Sequence, residues 1–207
     1  MLTVALTGNV AAGKSSVLAH FARWGAEVVD ADLLAREVVA PGRPELAEIL
    51  ARFGPDLRRP DGSLDRTLLR RRVMGSAERR AELNAIVHPA VMRLHAERLE
   101  AARRRGARIV VSDIPLLFEV LRPAAWDVVV LVDAPEETRR RRLFEQRGLG
   151  EAEARELMAA QLPSGPKRAR SHIVIDNDGT PEALEAAARA AWDQLEAEAA
   201  RTASARR

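Results

Sequence analysis

Residues 8–15 read Gly-Asn-Val-Ala-Ala-Gly-Lys-Ser, a G-x-x-x-x-G-K-S pattern. It stands directly after the apolar run Leu2-Thr3-Val4-Ala5-Leu6-Thr7 and directly before a helical run at 16–24. A strand that turns through glycines into a helix brings successive backbone N–H groups and the positive end of the helix dipole to one point. That point suits the oxygens of a polyphosphate. Gly8, Asn9, Val10, Ala11, Ala12, Gly13, Lys14, Ser15 and Ser16 are therefore the expected nucleotide contacts. Lys14 is expected to reach the β- and γ-phosphates, and the Ser15 hydroxyl to ligate Mg²⁺.

The rest of the chain agrees with such a start. Short apolar, β-branched runs at 2–7, 27–30, 108–113, 127–133 and 173–176 read as buried parallel strands. Helical patterns lie between them, so an α/β sheet with right-handed crossovers is expected. The gap from the second to the third strand is too long for one crossover helix, so residues 41–105 must form several helices outside the sheet. His88-Pro89 reads as the start of one of them, running to about residue 104, with proline in its first turn. Two further helices are expected at 136–146 and 151–161, a loop at Pro163-Ser164-Gly165-Pro166, and a last helix at 182–198 before a fraying tail at 202–207.

Composition excludes several classes. There is no Cys, so neither disulfides nor thiolate metal sites are available. Aromatics make up 3% of the chain, so the core must be aliphatic. No apolar run approaches the ~20 residues of a membrane span, and no basic-then-apolar leader precedes the first strand, so a cytoplasmic protein without membrane partners is expected. The formal net charge is +3, and 30 acidic residues speak against an arginine-rich nucleic-acid module. Lys14 and Lys167 are the two lysines among 33 Lys plus Arg, so a lysine here is expected to have a specific use.

A phosphate loop alone does not separate kinase, GTPase and ATPase. The N-K-x-D guanine motif is missing, and 207 residues leave little room for the partner domains of a motor. A small-molecule kinase remains, and it needs an acceptor site. Val28-Val29-Asp30-Ala31-Asp32 puts two carboxylates at the carboxyl end of the second strand, the edge where α/β sheets gather ligands. Asp32 could accept the proton of an attacking hydroxyl, and either Asp30 or Asp32 could instead cap the helix beginning near residue 33. The third strand ends in Asp113, which suits indirect Mg²⁺ coordination.

Several segments together make the chain recognisable. They are Thr7-Gly8 with the loop, Asp30-Ala31-Asp32 followed by Ala35-Arg36, Phe53-Gly54, and Asp61-Gly62-Ser63-Leu64-Asp65-Arg66. With His88-Pro89, Pro115-Leu116-Leu117-Phe118-Glu119 and Ile175-Asp176-Asn177, in this order, the chain resembles the dephospho-coenzyme A kinase family. The resemblance implies ATP-dependent phosphorylation of the ribose 3′-hydroxyl of dephospho-coenzyme A. It implies a P-loop kinase-type three-layer α/β sandwich with a five-stranded parallel sheet, a helical substrate-domain insertion and a helical lid. The core would be residues 1–40, 106–134 and 171–207, the coenzyme A domain 41–105 and the lid 135–170, as a single structural unit. By position, Asp32 looks like the family's base. His88, Leu116, Leu117, Phe118 and Glu119 fall where the family shapes its acceptor pocket, and Asn177 falls near the adenine.

The chain also departs from the family pattern. Asn9 and Ser16 replace the common Gly and Thr, and His172 replaces an Asp. The lid reads Arg139-Arg140-Arg141-Arg142, with Arg147 one place late, so the arginine that meets the phosphates is either Arg142 or Arg140, or Arg147 through the shifted register. The rival reading is another P-loop nucleoside or nucleotide kinase. The sequence is silent on oligomeric state.

Overall fold

Strand β1 (Leu2–Gly8) is the axis of the sheet because every one of its residues except Thr3 is buried. The structure, a computed structural model, describes residues 1–120 and 125–205. The other strands are β2 (Glu27–Asp30), β3 (Ile109–Asp113), β4 (Val128–Asp133) and β5 (Ile173–Asp176), in the order β2-β3-β1-β4-β5. The β1–β3, β1–β4 and β4–β5 pairs are parallel. All six residues of β4 are buried, as a strand covered on both faces requires. The register sets Leu6 beside Asp113 and Gly8 beside Val132, so the carboxyl ends of three strands emerge together. Gly8 has a steric reason: a Cβ there would lie 2.5 Å from the Val132 carbonyl oxygen.

Two compact units emerge, residues 1–29 with 102–207, and residues 30–101. In the first, α1 (Lys14–Arg23) and α10 (Pro181–Ala205) bury Val17, Phe21, Leu184, Trp192 and Leu195 against Leu2, Val4, Leu6, Val111 and Val130. The scarce aromatics are concentrated here, with the Phe21 and Trp192 rings 5.5 Å apart. This unit also holds α6 (Leu117–Val120), α7 (Glu136–Arg147), α8 (Glu151–Ala159) and α9 (Ser164–Arg168). The last of these corrects the loop expected at 163–166. Pro163 is its N-cap and Pro166 lies in the first turn, where a missing N–H forfeits no helical bond. Helix α10 also runs past the expected end at 198, and residues 206–207 lie outside the described residues.

The second unit contains α2 (Ala31–Glu37), α3 (Pro44–Phe53), a 3-10 turn (Pro55–Leu57), α4 (Arg66–Val73) and most of α5 (Ala77–Arg104). Its core is aliphatic, with Leu34, Leu46, Ile49, Leu57 and Leu69 buried beside Phe53. Asp65 caps α4 by accepting from the Leu68 amide at 2.8 Å. His88-Pro89 does not open a helix. Pro89 lies inside the 28-residue α5, which begins at Ala77 in an Arg/Glu-rich stretch with strong helix formers. The proline deletes one i to i−4 bond there without ending the helix.

His172 gains a reason. The Val129 amide donates to His172 Nδ1 at 2.9 Å, while the His172 amide donates to the Val129 carbonyl at 2.9 Å. The side chain thus completes the β4–β5 ladder at its start, as an acceptor where a carboxylate would serve equally.

Candidate active site

The phosphate loop is shaped by two left-handed backbone positions, Ala11 at φ 58° and Gly13 at φ 94°. Gly13 is the N-cap of α1, with no side-chain cap and no acidic residue in the first turn. The positive end of α1 is therefore open toward the concave side of the loop, where an anion is stabilised. A Cβ at Gly13 would collide with the Asn177 amide, so glycine is required by both backbone and neighbour. Lys14 Nζ pairs with Asp113 Oδ1, and each side chain is 14% exposed. Ser15, the next residue, is exposed. Thr7 Oγ1, near the end of β1, is buried without a hydrogen-bond partner among the described residues.

The loop is held from outside by residues far along the chain. The Val10 amide donates to Gln161 Oε1 at 2.8 Å. Asn177 Nδ2 donates to the Ala12 carbonyl at 2.8 Å, and the Asn177 amide donates to the Asp133 carbonyl at 2.7 Å. Asn177 is 5% exposed, so the residue expected near the adenine has its carboxamide turned onto the loop backbone. Asn9 Nδ2 donates to Ser164 Oγ at 3.1 Å, and Ser164 donates on to Asp133 Oδ1 at 2.7 Å. Arg168 bridges Asp176 and Asp133, and the two carboxylates, Asp176 first, raise its affinity for the proton. The same contact holds Asp176 below the usual carboxylate range.

The arginines of α7 separate by what they touch. Arg142 donates to the Ala11 carbonyl at 3.3 Å and to the Asn177 carbonyl at 3.1 Å, so its guanidinium lies on the loop. Arg140 is exposed and bound to Glu137 at 2.8 Å, one turn back on its own helix. Arg139 is buried and donates from Nε to the Ala134 carbonyl at 3.1 Å. Beside Asn9, α7 and α8 enclose a cleft of about 560 Å³ edged by Arg139, Arg140, Glu151, Arg155 and Met158.

The segment after β3 is mixed. Leu116 is 42% exposed, whereas Leu117 and Phe118 are buried. Glu119 Oε1 accepts from Lys167 Nζ at 2.6 Å and from the Leu162 amide at 3.1 Å. Lys167 itself is fully buried and also donates to Asn9 Oδ1 at 2.5 Å. It was absent from the expected site residues. The signal was present, since it is one of only two lysines, but its partners stand 48 and 158 positions away.

In the second unit, Asp30 Oδ1 accepts from the Asp32 amide at 2.8 Å and the Leu33 amide at 3.0 Å, capping α2. The Asp32 side chain is exposed, and among the described residues nothing donates to its carboxylate. His88 is half-buried within α5. Among the described residues no three His, Cys, Asp or Glu cluster as metal ligands, and no helix is long and apolar enough to cross a membrane.

Known proteins resemble most of the chain. The family model described as Dephospho-CoA kinase matches residues 2–182. Curated relatives named Dephospho-CoA kinase include that of Thermobifida fusca, 44% identical over 95% of this chain and 97% of its own, and that of Anaeromyxobacter dehalogenans, 47% identical over 89% and 87%. Among solved structures, TT1252 from Thermus thermophilus superposes with a TM-score of 0.80 at 38% identity, covering 94% of this chain and 97% of that one. A dephospho-CoA kinase from Campylobacter jejuni, at 18% identity and a TM-score of 0.64 over 93% and 96%, shares the fold.

Proposed function

This chain belongs to the dephospho-CoA kinase family, and on that premise we propose that it transfers the γ-phosphate of ATP to the ribose 3′-hydroxyl of dephospho-coenzyme A, giving coenzyme A and ADP, the last step of coenzyme A synthesis. The observation that carries the reading is the extent of the family match. Residues 2–182 include both the phosphate loop and the helical unit in which Asp32 and His88 lie.

The proposed chemistry follows from the residues. Lys14 leaves Asp113 and follows the β- and γ-phosphates as a point charge, while the loop amides and the open end of α1 hold the remaining oxygens. Arg142, already on the loop, neutralises charge that grows on the transferred group. The hydroxyl oxygen bonds to the γ-phosphorus as the bond to the β-phosphate oxygen breaks, and the hydroxyl proton passes to Asp32. The hydroxyl of Ser15 and, through water, the carboxylate of Asp113 are hard oxygen donors that fit Mg²⁺ arriving with the nucleotide. Mg²⁺ supplies charge neutralisation at the phosphate oxygens. Leu116 and Glu119 border the acceptor, and Leu117 and Phe118 anchor that border in the core. We read residues 1–40, 106–134 and 171–207 as the nucleotide core, 41–105 as the acceptor domain and 135–170 as the lid. A cytoplasmic location fits the use of ATP.

A substrate panel tests the reading. kcat/KM should be highest for dephospho-coenzyme A when it is compared with AMP, CMP and adenosine. A mononucleotide preferred by tenfold, about 1.4 kcal/mol of transition-state binding, would overturn the acceptor.

A further inference from the structure

Lys167 is the most deeply buried charge among the described residues, with no exposed surface. Its ammonium reaches into two separate parts of the proposed site. One contact goes to Asn9 Oδ1, the second residue of the phosphate loop, at 2.5 Å. The other goes to Glu119 Oε1, the last residue of the segment after β3, at 2.6 Å. The surrounding contacts repeat this pairing. Toward the loop, Gln161 accepts from Val10 and Ser164 accepts from Asn9. Toward the other segment, the Leu162 amide donates to Glu119, and the Arg170 guanidinium lies 4.9 Å from the centre of the Phe118 ring. Residues 161–170 thus clasp both, and among the described residues Lys167 touches both with one atom.

Stability is a poor reason for this arrangement. Burying an ammonium and a carboxylate removes two charges from water, and an apolar pair of similar volume commonly does as well or better. What an apolar pair cannot supply is direction. Lys167 Nζ fixes the carboxamide of Asn9 and the carboxylate of Glu119 about a common point, and each of these is itself oriented by a further bond. Glu119 Oε2 is buried with no hydrogen-bond partner among the described residues, a strain on solvation that a purely structural contact would not be expected to retain.

The geometry points to Lys167 as a positioning residue of phosphoryl transfer: it locks the phosphate loop to residues 115–119, so that donor cradle and acceptor border keep one spacing. This rests on the proposed kinase reading for the role of residues 115–119, while the brace itself is a contact within one compact unit.

The test combines Lys167→Met, Glu119→Gln, Asn9→Ala and the double variant Lys167→Met/Glu119→Leu. Melting midpoint, ATP affinity by calorimetry, and kcat and KM for both substrates are measured for each. The double variant should melt near wild type, because no charge is left buried alone, yet keep a kcat about 10²-fold low, the effect of misplacing reacting groups by about 1 Å. Recovery of kcat together with the midpoint would overturn the inference, since the pair would then only neutralise itself. If both Lys167 variants fail to fold, Asn9→Ala decides, and it should lower kcat at least tenfold whereas a wild-type kcat refutes the brace. Glu119→Gln should weaken ATP binding about fivefold, within the range of coupling between linked sites, although Glu119 lies outside the loop. Unchanged ATP affinity counts against the brace. If the wild-type protein does not phosphorylate dephospho-coenzyme A, the acceptor reading fails, and the ATP-affinity arm still decides the role of Lys167.

Discussion

The phosphate loop and the Asp30–Asp32 corner are both polar turns at the carboxyl end of a strand, but they are secured in opposite ways. The loop is tied by Gln161, Asn177, Arg142 and Lys167, which stand 131 to 165 residues from the groups they hold. The Asp30–Asp32 corner is tied by a cap that reaches two and three residues along its own chain. Long-range ties hold a backbone fixed whatever the local sequence prefers. A local cap fixes a helix start and leaves the next carboxylate, Asp32, in solvent. The phosphate loop is therefore built in advance, whereas the proposed base, Asp32, stands exposed beyond a local cap.

The largest expected effect tests the preformed side. Lys14→Ala should lower kcat by about 10³-fold or more while the melting midpoint holds, because the lysine pairs with Asp113 at the phosphate loop and lies outside the hydrophobic core cluster. A folded variant with wild-type kcat would break the assignment of that cradle to phosphate.

Asp32→Asn tests the unfinished side. It keeps shape and removes the proton acceptor, so kcat should fall by about 10²-fold, the low end for general-base catalysis given a loose transition state, with ATP affinity unchanged by calorimetry. A variant within threefold of wild type would show that positioning alone serves the acceptor. Asp30→Asn should reduce stability more than activity, since its carboxylate holds the start of α2.

Arg142→Ala should lower kcat about tenfold to a hundredfold, more than it raises KM for ATP. Arg140→Ala should do little, because Arg140 is exposed and satisfied by Glu137. If Arg147→Ala gives the larger loss in steady-state kinetics, the shifted register of α7 is functional and the Arg142 contacts serve the loop alone.

The smallest effect concerns acid. Burial pushes His95, in the helical unit, below its usual value of 6.5. The unfolded chain therefore takes a proton first, and stability falls as pH drops below about 6.5 toward the lowered folded value. The carboxylates of Asp56 (bound to Arg72) and Glu82 (bound to Arg52) are held below their usual values of 3.8 and 4.5, so their contribution is lost only at lower pH. Hydrogen exchange at pH 6.5 and 5.5 should show protection falling in residues 30–101, and His95→Gln should flatten that change. An equal loss across both units would remove His95 as its cause.

The sheet was legible because parallel strands buried on both faces must be continuous apolar runs, and 2–7 and 127–133 are such runs. The loop was legible because its chemistry is local. The start of α5 was not, because Pro89 imitates a helix start while the charged turns before it carry no apolar periodicity that marks them as helix. The brace around Asn9 was not, because side chains separated by 150 residues leave no pattern in the sequence. His172 looked anomalous by residue type and is explained only by the Val129 amide that it faces.

The two lysines have one more consequence. Lys167 is sealed and Lys14 lies in the cradle at 14% side-chain exposure, so the surface of the chain is cationic through arginine alone. An amine-acylating reagent then meets few targets, chiefly the Met1 amino group and Lys14. Acylation of Lys14, read by mass spectrometry, becomes a footprint of the triphosphate, blocked as nucleotide fills the site. Random amine coupling would here be directed at the proposed phosphate site.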